Sequence, residues 1–279
     1  MNAVENALWF VENHFGRDDV SLDEVAAAAG VSRFHLSHVF TMATGRSVMN
    51  YMRARRLTEA ARKLAAGAPD ILGVALDCGY GSHEAFTRAF RDQFGTTPED
   101  VRARGSLANL SLVEPIRMDR SLIVPLEPPR FEDAPSLMIA GLSGRYTFET
   151  NHGIPTQWQR FNAEFNGHIP NQKGNIYYGL SHNFDDDGHF EYVCGCEVSG
   201  FGELPDALAR VRIASHRYAV FSHRGHISMI SRTHYTIWAT WAAESGFEAA
   251  EMLNFERYDE RFDPMTGNGV VEIWVPVKT

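Results

Sequence analysis

The feature that most constrains this chain is an internal repeat. With an offset of 50 residues, Ser32–Gly45 (SRFHLSHVFTMATG) overlays Ser82–Gly95 (SHEAFTRAFRDQFG) in chemical pattern. Ser32 and Ser82 stand as candidate N-caps, and Gly45 and Gly95 as C-terminal stops. Between them Leu36 and Phe86, Val39 and Ala89, and Phe40 and Phe90 repeat an i, i+3, i+4 apolar stripe, one face of a helix. The opposite face carries Arg33, Ser37 and His38 in the first copy and His83, Thr87 and Arg88 in the second. A shorter helix precedes each copy: Ser21–Ala29, opened by the capping box Ser21-x-x-Glu24, and Asp70–Cys78, with Gly30 and Gly79 as breaks. Helix, short glycine turn, and second helix with a polar outer face is a helix-turn-helix, whose second helix fits the major groove of DNA. A pair of packed α-hairpins in an interaction domain is the competing reading, and two copies in register weigh against it.

Ser47–Ala66 contains neither Pro nor Gly and reads as one helix between the copies. Its length of roughly 30 Å is close to the ~34 Å between successive major grooves on one face of the duplex. Thr97-Pro98-Glu99 opens a last short helix ending near Arg104. Net charge is −9, which argues against a nucleic-acid partner until it is resolved along the chain. Residues 1–105 hold 12 basic and 13 acidic side chains, against 14 and 22 in residues 106–279. Between positions 46 and 63, Arg46, Arg53, Arg55, Arg56, Arg62 and Lys63 meet only Glu59, a local basic stripe. Arg88 is the candidate base reader, because a guanidinium matches guanine in a bidentate fashion, while an ion pair with Glu84 or Asp92 is the plainer alternative. For Arg53, Arg55 and Arg56, phosphate contact and solvated helix charge are equally open.

From Gly105 to Pro135 five prolines interrupt the chain, so the reading is a helical domain over 1–106, a linker over 107–135 and a second domain over 136–279. Strand patterns follow at 137–148, 175–184, 189–198, 211–223, 251–261 and 269–277, with helical patterns at 154–167 and 226–245. The order strand, helix, strand, strand thus occurs twice. The fold class expected is all-α followed by α+β, the latter two strand-helix-strand-strand repeats on an antiparallel sheet. Three cysteines, no apolar run of membrane-spanning length and no basic leader suit a cytoplasmic protein with no membrane partner. Cys194-Gly195-Cys196 and scattered histidines lack metal-ligand spacing, and Asp185-Asp186-Asp187-Gly188 lacks the distal ligands of a calcium loop, so neither metal nor other cofactor is expected.

The second repeat and its flanks, Gly79-Tyr80-Gly81-Ser82, Phe86-Thr87-Arg88-Ala89-Phe90-Arg91, Phe94-Gly95 and Thr97-Pro98, resemble the signature of the AraC/XylS family of transcription regulators. The resemblance implies DNA contacts from Arg33, Phe34, Ser37 and His38 on the first recognition helix and from His83, Glu84, Thr87 and Arg88 on the second, with Arg46 counted among the DNA-binding residues. Promoter DNA and RNA polymerase are the implied macromolecular partners. Ile237-Trp238, Glu244-Ser245-Gly246, Phe255-Glu256-Arg257-Tyr258 and Val271-Glu272-Ile273-Trp274-Val275-Pro276 are similar to a GyrI-like small-molecule-binding domain. That similarity implies two repeats about a pseudo-twofold, a ligand cavity between them and an acidic residue in it, by position Glu256. Strand alternation puts Glu256 and Tyr258 on one face and Phe255 and Arg257 on the other. A carboxylate among Trp158, Tyr178, Tyr192 and Tyr218 would suit a small hydrophobic or cationic effector, and the expected site is Glu256, Tyr258, Trp158, Tyr178 and Tyr192. Pairing of Glu256 with Arg257 or Arg261 on an outer sheet face is the alternative. A hydrolase acting on a reactive small molecule, with Glu256 as base and Tyr192 or Tyr258 as acid, is the rival function; the chain is read as a regulator, not an enzyme.

Overall fold

A computed structural model describes residues 2–117, 120–147, 150–185, 188–242 and 253–278, apart from the side chains of 34, 38 and 120. The chain divides into two compact units, residues 1–36 with 46–118 and residues 37–45 with 119–279.

Seven helices precede residue 105: α1 (Ala3–His14), α2 (Leu22–Ala29), α3 (Arg33–Thr44), α4 (Val48–Ala65), α5 (Ile71–Asp77), α6 (His83–Phe94) and α7 (Pro98–Arg104). Local chemistry sets their starts. Ser21, Ser47, Asp70, Ser82 and Thr97 each cap a helix by accepting the backbone N–H three residues on. The expected capping box at Ser21 is only half formed, because the Glu24 carboxylate turns outward to the Arg17 guanidinium at 2.8 Å. α3 and α6 begin 50 residues apart and have equal length, as the repeat requires. Gly79 takes φ +76° between α5 and α6, and a Cβ there would lie 3.1 Å from the Asp18 Cα, so both conformation and space call for glycine.

Leu57, Ala60, Ala61 and Leu64 of α4 form the core around which Val74, Ala75, Phe86, Phe90 and Val101 pack. The segment expected to be linker begins as part of this unit. Leu107, Leu110 and Leu112 lie against the same core, the Val113 N–H donates to Thr58 Oγ1 at 3.0 Å, and the Ile116 N–H donates to the Tyr51 hydroxyl at 3.0 Å.

The second unit holds β1 (Arg130–Ala134), β2 (Leu137–Thr147), α8 (Ile154–Glu164), β3 (Gln172–His182), β4 (His189–Val198), β5 (Ala209–Ile213), β6 (His216–His226), α9 (Ile230–Thr236), β7 (Asn254–Asp263) and β8 (Asn268–Pro276). One π-helical turn, Ile237–Trp241, extends α9. The eight strands form one antiparallel sheet in the order β1-β6-β8-β7-β3-β4-β2-β5. β2-α8-β3-β4 and β6-α9-β7-β8 are therefore mirrored about the central β3–β7 pair, the arrangement of a pseudo-twofold. The spacing is regular: β1 and β5 start at 130 and 209, β2 and β6 at 137 and 216, β4 and β8 at 189 and 268, an offset of 79 each time.

Two strand assignments need correction. The single strand expected over 211–223 is two, β5 and β6, and the last stretch of the expected linker is β1. β1 leaves its own repeat to pair with β6, and β5 likewise crosses to β2. Neither pairing is visible locally, because each strand satisfies its backbone on a partner about 80 residues away. The helical pattern at 154–167 ends at Glu164; residues 148, 186, 187, 243–245 and 251–252 of other expected elements lie outside the described residues.

The sheet buries both faces. Under α8, Phe161 meets Leu142, Phe190, Tyr192, Cys194 and Val198; the other face gathers Tyr178, Leu180, Tyr218, Phe255 and Trp274.

Candidate recognition helices and candidate effector site

α6 buries Phe86 and Phe90 fully and leaves Glu84 and Arg88 exposed, with His83 and Thr87 half-buried. Among the described residues Arg88 has neither of the ion pairs, with Glu84 or Asp92, that the sequence left open. It borders a cleft of about 640 Å³ between α4 and α6, which Arg46, Asn50, Arg53, Gln93 and Tyr80 also line. His83 is engaged within the unit, its Nε2 3.1 Å from Glu99 Oε1 on α7. Backbone hydrogen bonding and the Ser82 hydroxyl at the helix start hold the Glu84 carboxyl below its ordinary value. On α3, Arg33 is half exposed with Asp23 at 3.8 Å, and Ser37 is half-buried. Phe34 and His38 lie outside the described side chains.

Tertiary structure uses up most of the basic stripe. Arg55 is 4 % exposed and neither faces phosphate nor is solvated. It forks onto Glu12 at 2.9 and 3.0 Å, reaches Glu59 at 3.2 Å and donates to the Val113 carbonyl at 3.0 Å. Arg56 donates to the Phe15 and Arg17 carbonyls, Arg62 pairs with Glu59 and Glu114, and Lys63 pairs with Asp77. Helical spacing shows which side chains share α4, but only packing shows that Arg55 points at α1.

In the second unit the strand register brings four expected residues together. Glu256 on β7 pairs with Gly179 of β3, and Tyr192 on β4, opposite Ser181, reaches over Gly179 so that its hydroxyl donates to Glu256 Oε2 at 3.0 Å. Tyr258, two residues along the same strand face, donates to the same oxygen at 2.7 Å. From α8, Trp158 Nε1 donates to the Tyr192 hydroxyl at 3.0 Å, and its ring meets Tyr258 edge-on at 5.1 Å. Gln157 beside it holds α8 on β2 and β4 by donating to the Leu142 and Tyr192 carbonyls at 2.8 and 3.0 Å.

Tyr178 does not join them. It sits one residue from Gly179 and so on the opposite sheet face, where it packs edge-on to Phe255 at 5.8 Å; Tyr218 packs there too. Arg257 and Arg261 also belong elsewhere. With Arg130 they surround Glu272, 2 % exposed, and Arg257 and Arg261 also share Asp259, so among the described residues no arginine pairs with Glu256.

Two residues were missed. His234, the fifth residue of α9, places Nε2 3.0 Å from Glu256 Oε1. Trp158 is the fifth residue of α8, but the strand offset of 79 pairs it with Ile237, so the equivalence shows only once both helices are in place. Gly179 is the other: a Cβ there would stand 2.6 Å from Glu256 Oε2 and still closer to the Tyr192 hydroxyl. A glycine inside a strand pattern often marks such a close approach.

Burial works to raise the Glu256 pKa, but the hydrogen bonds from His234, Tyr258 and Tyr192 outweigh it and hold the carboxyl below its ordinary value. Burial first, and the facing carboxylate second, push the Tyr192 and Tyr258 phenols well up. The result is an ionised acid held by three side-chain donors. The three cysteines are buried and free, and among the described residues no group of three or more His, Cys, Asp or Glu is arranged for a metal. No described helix is long and apolar enough to cross a membrane.

Comparison with known proteins matches residues 25–104 to a helix-turn-helix domain and residues 127–278 to a GyrI-like small molecule binding domain. Transcriptional regulator Rob of Salmonella typhimurium is 26 % identical, with 99 % of this chain and 98 % of that protein covered. Right origin-binding protein of Escherichia coli K12 is 25 % identical at the same coverage. Regulatory protein SoxS of Escherichia coli K12 is 34 % identical over 36 % of this chain and 94 % of its own.

Proposed function

This chain belongs to the family of GyrI-like small molecule binding domains, here preceded by an AraC-type helix-turn-helix domain, and from that membership we propose the detail of how it reads DNA and which effector it takes. It is a DNA-binding transcriptional regulator. The observation that carries the finer reading is the equal pair of recognition helices, α3 and α6, joined by the unbroken α4, about 27 Å long. Such a connector suits two reading heads set one turn of the duplex apart.

On this reading α6 enters the major groove with Arg88 on a base edge, and α3 enters the next with Arg33 and Ser37. Arg46, beside the cleft it shares with Arg88, sits on phosphate. Selection of bound duplexes from random DNA should yield two half-sites about one turn apart. Arg88→Ala should cost roughly 1 to 3 kcal/mol at one position of one half-site. Equal loss across all sequences would make Arg88 a phosphate contact instead. RNA polymerase is the natural second partner of a promoter-bound protein of this kind, and the cytoplasm its place of work.

The effector is a small hydrophobic cation. An ionised carboxylate beside Trp158, Tyr192 and Tyr258, which among the described residues has no arginine partner and meets only the His234 imidazole on Oε1, favours a positive aromatic ligand over an anionic one. Rhodamine 6G titrated against wild type and Glu256→Gln should bind the variant at least tenfold more weakly. Equal affinity would remove Glu256 from the site. Acid–base poise supports binding over turnover: a carboxyl held low and phenols held high are poorly matched to proton transfer near neutral pH. A ligand recovered unchanged by mass spectrometry after long incubation is the expected result.

A further inference from the structure

Glu256 has two oxygens, and the structure treats them differently. Oε2 takes both phenol donors, from Tyr192 at 3.0 Å and Tyr258 at 2.7 Å, and β3 approaches it so closely at Gly179 that not even a methyl group fits between. That side of the carboxylate is closed. Among the described residues Oε1 has one partner, the imidazole of His234 at 3.0 Å, and since an ionised carboxylate only accepts, Nε2 carries the donated proton. The Glu256 and His234 side chains retain 15 % and 12 % exposure, so neither is sealed from solvent.

The two repeats sharpen the contrast. Trp158 and His234 occupy the same position, fifth in α8 and fifth in α9. Trp158 uses its N–H to orient Tyr192, which in turn faces the acid; His234 uses its N–H on the acid directly. One helix supports the site, and the other occupies it.

We propose that His234 is an internal competitor for the effector: a cation reaches Glu256 only by taking Oε1 from the imidazole. Resting on the reading of Glu256 as the effector's anchor, this makes His234 a specificity-determining residue. A cation must return more than a charge-assisted hydrogen bond to the carboxylate before it binds, whereas a neutral ligand that leaves Oε1 alone meets no such barrier. Weak cations are therefore excluded.

The test uses the full chain, rhodamine 6G as cation and Nile red as neutral dye, followed by fluorescence anisotropy on wild type, His234→Ala and Glu256→Gln. His234→Ala should tighten rhodamine 6G by about tenfold, the worth of one lost competing hydrogen bond, and leave Nile red within twofold. An equal gain for both dyes would mean that the imidazole is only a plug, and overturns the proposal. Unchanged or weakened rhodamine 6G binding in His234→Ala, with Glu256→Gln still weakened, overturns it while keeping the anchor. Wild-type affinity in Glu256→Gln overturns the anchor and the competitor together. Should the alanine variant fail to fold by circular dichroism, His234→Asn, too short to reach Oε1, takes its place with the same expected result.

Discussion

Arg55 shows how a residue's neighbours in space can reverse what its neighbours in sequence suggest. In a run of arginines it looks like phosphate-binding surface, yet it is 4 % exposed and gives its whole guanidinium to Glu12, Glu59 and a backbone carbonyl. Removing one partner of such a pair leaves the other charge partly buried without compensation, which is far costlier than losing a surface pair. Arg55→Ala should lower the unfolding free energy of the helical unit by about 3 kcal/mol in urea denaturation, the low end for buried pairs because Glu12 keeps 24 % exposure. At low denaturant its DNA sequence preference should be unchanged. A variant of wild-type stability that loses DNA affinity would mean Arg55 reads phosphate after all. Glu256 makes the converse point: its role depends on His234, 22 residues before it, and Tyr192, 64 residues before it, so no local window contains the site.

Among the elements, the exchanged strands β1 and β5 tie the two repeats of the sheet together. Each covers the outer edge of the other repeat, pairing over five residues, so neither repeat closes alone. β1 also delivers Arg130 to the buried Glu272, at 2.8 Å. A fragment beginning at residue 127 keeps this strand, and one beginning at 136, the boundary expected from sequence, loses it. The shorter fragment should melt well below the longer and tend to aggregate, because it exposes the unpaired edge of β6 and removes a partner of Glu272. Equal melting temperatures with both fragments monomeric on size exclusion would show that β1 contributes nothing. The boundary was misread because prolines mark the segment as irregular, and β1 is short, charged at Arg130, Glu132 and Asp133, and poor in the alternation that reveals longer strands.

For the whole molecule, acidity should separate the two units. In the second, Asp259 is held down to about 2, first by Arg261, and Glu272 and Glu256 are also lowered; all three are largely buried. In the first, the lowered acids Asp19, Glu84, Asp100 and Glu114 are on the surface. A carboxyl whose folded pKa is depressed stabilises the fold above its unfolded pKa, near 4, and that contribution fades as pH falls toward the folded value. Between about pH 4 and 2 the second unit should therefore unfold before the first. Four of the five tryptophans lie in it, so tryptophan emission should shift before helical circular dichroism is lost. Coincident transitions would contradict the separation. What the residue order already contained was whatever rests on near neighbours: the caps, the 50-residue repeat, the period of each helix and most strands, and through them the fold class and the two reading helices. Folding in three dimensions settled the matters that rest on distant pairs: the strand exchange, the burial of Arg55, the position of Tyr178 across the sheet from Glu256, and the histidine on its free oxygen. Periodicity is a property of a short stretch and survives in it, but a hydrogen bond across 64 residues exists only when two chains of backbone are brought side by side, and a one-residue difference in register sends a side chain to the other face.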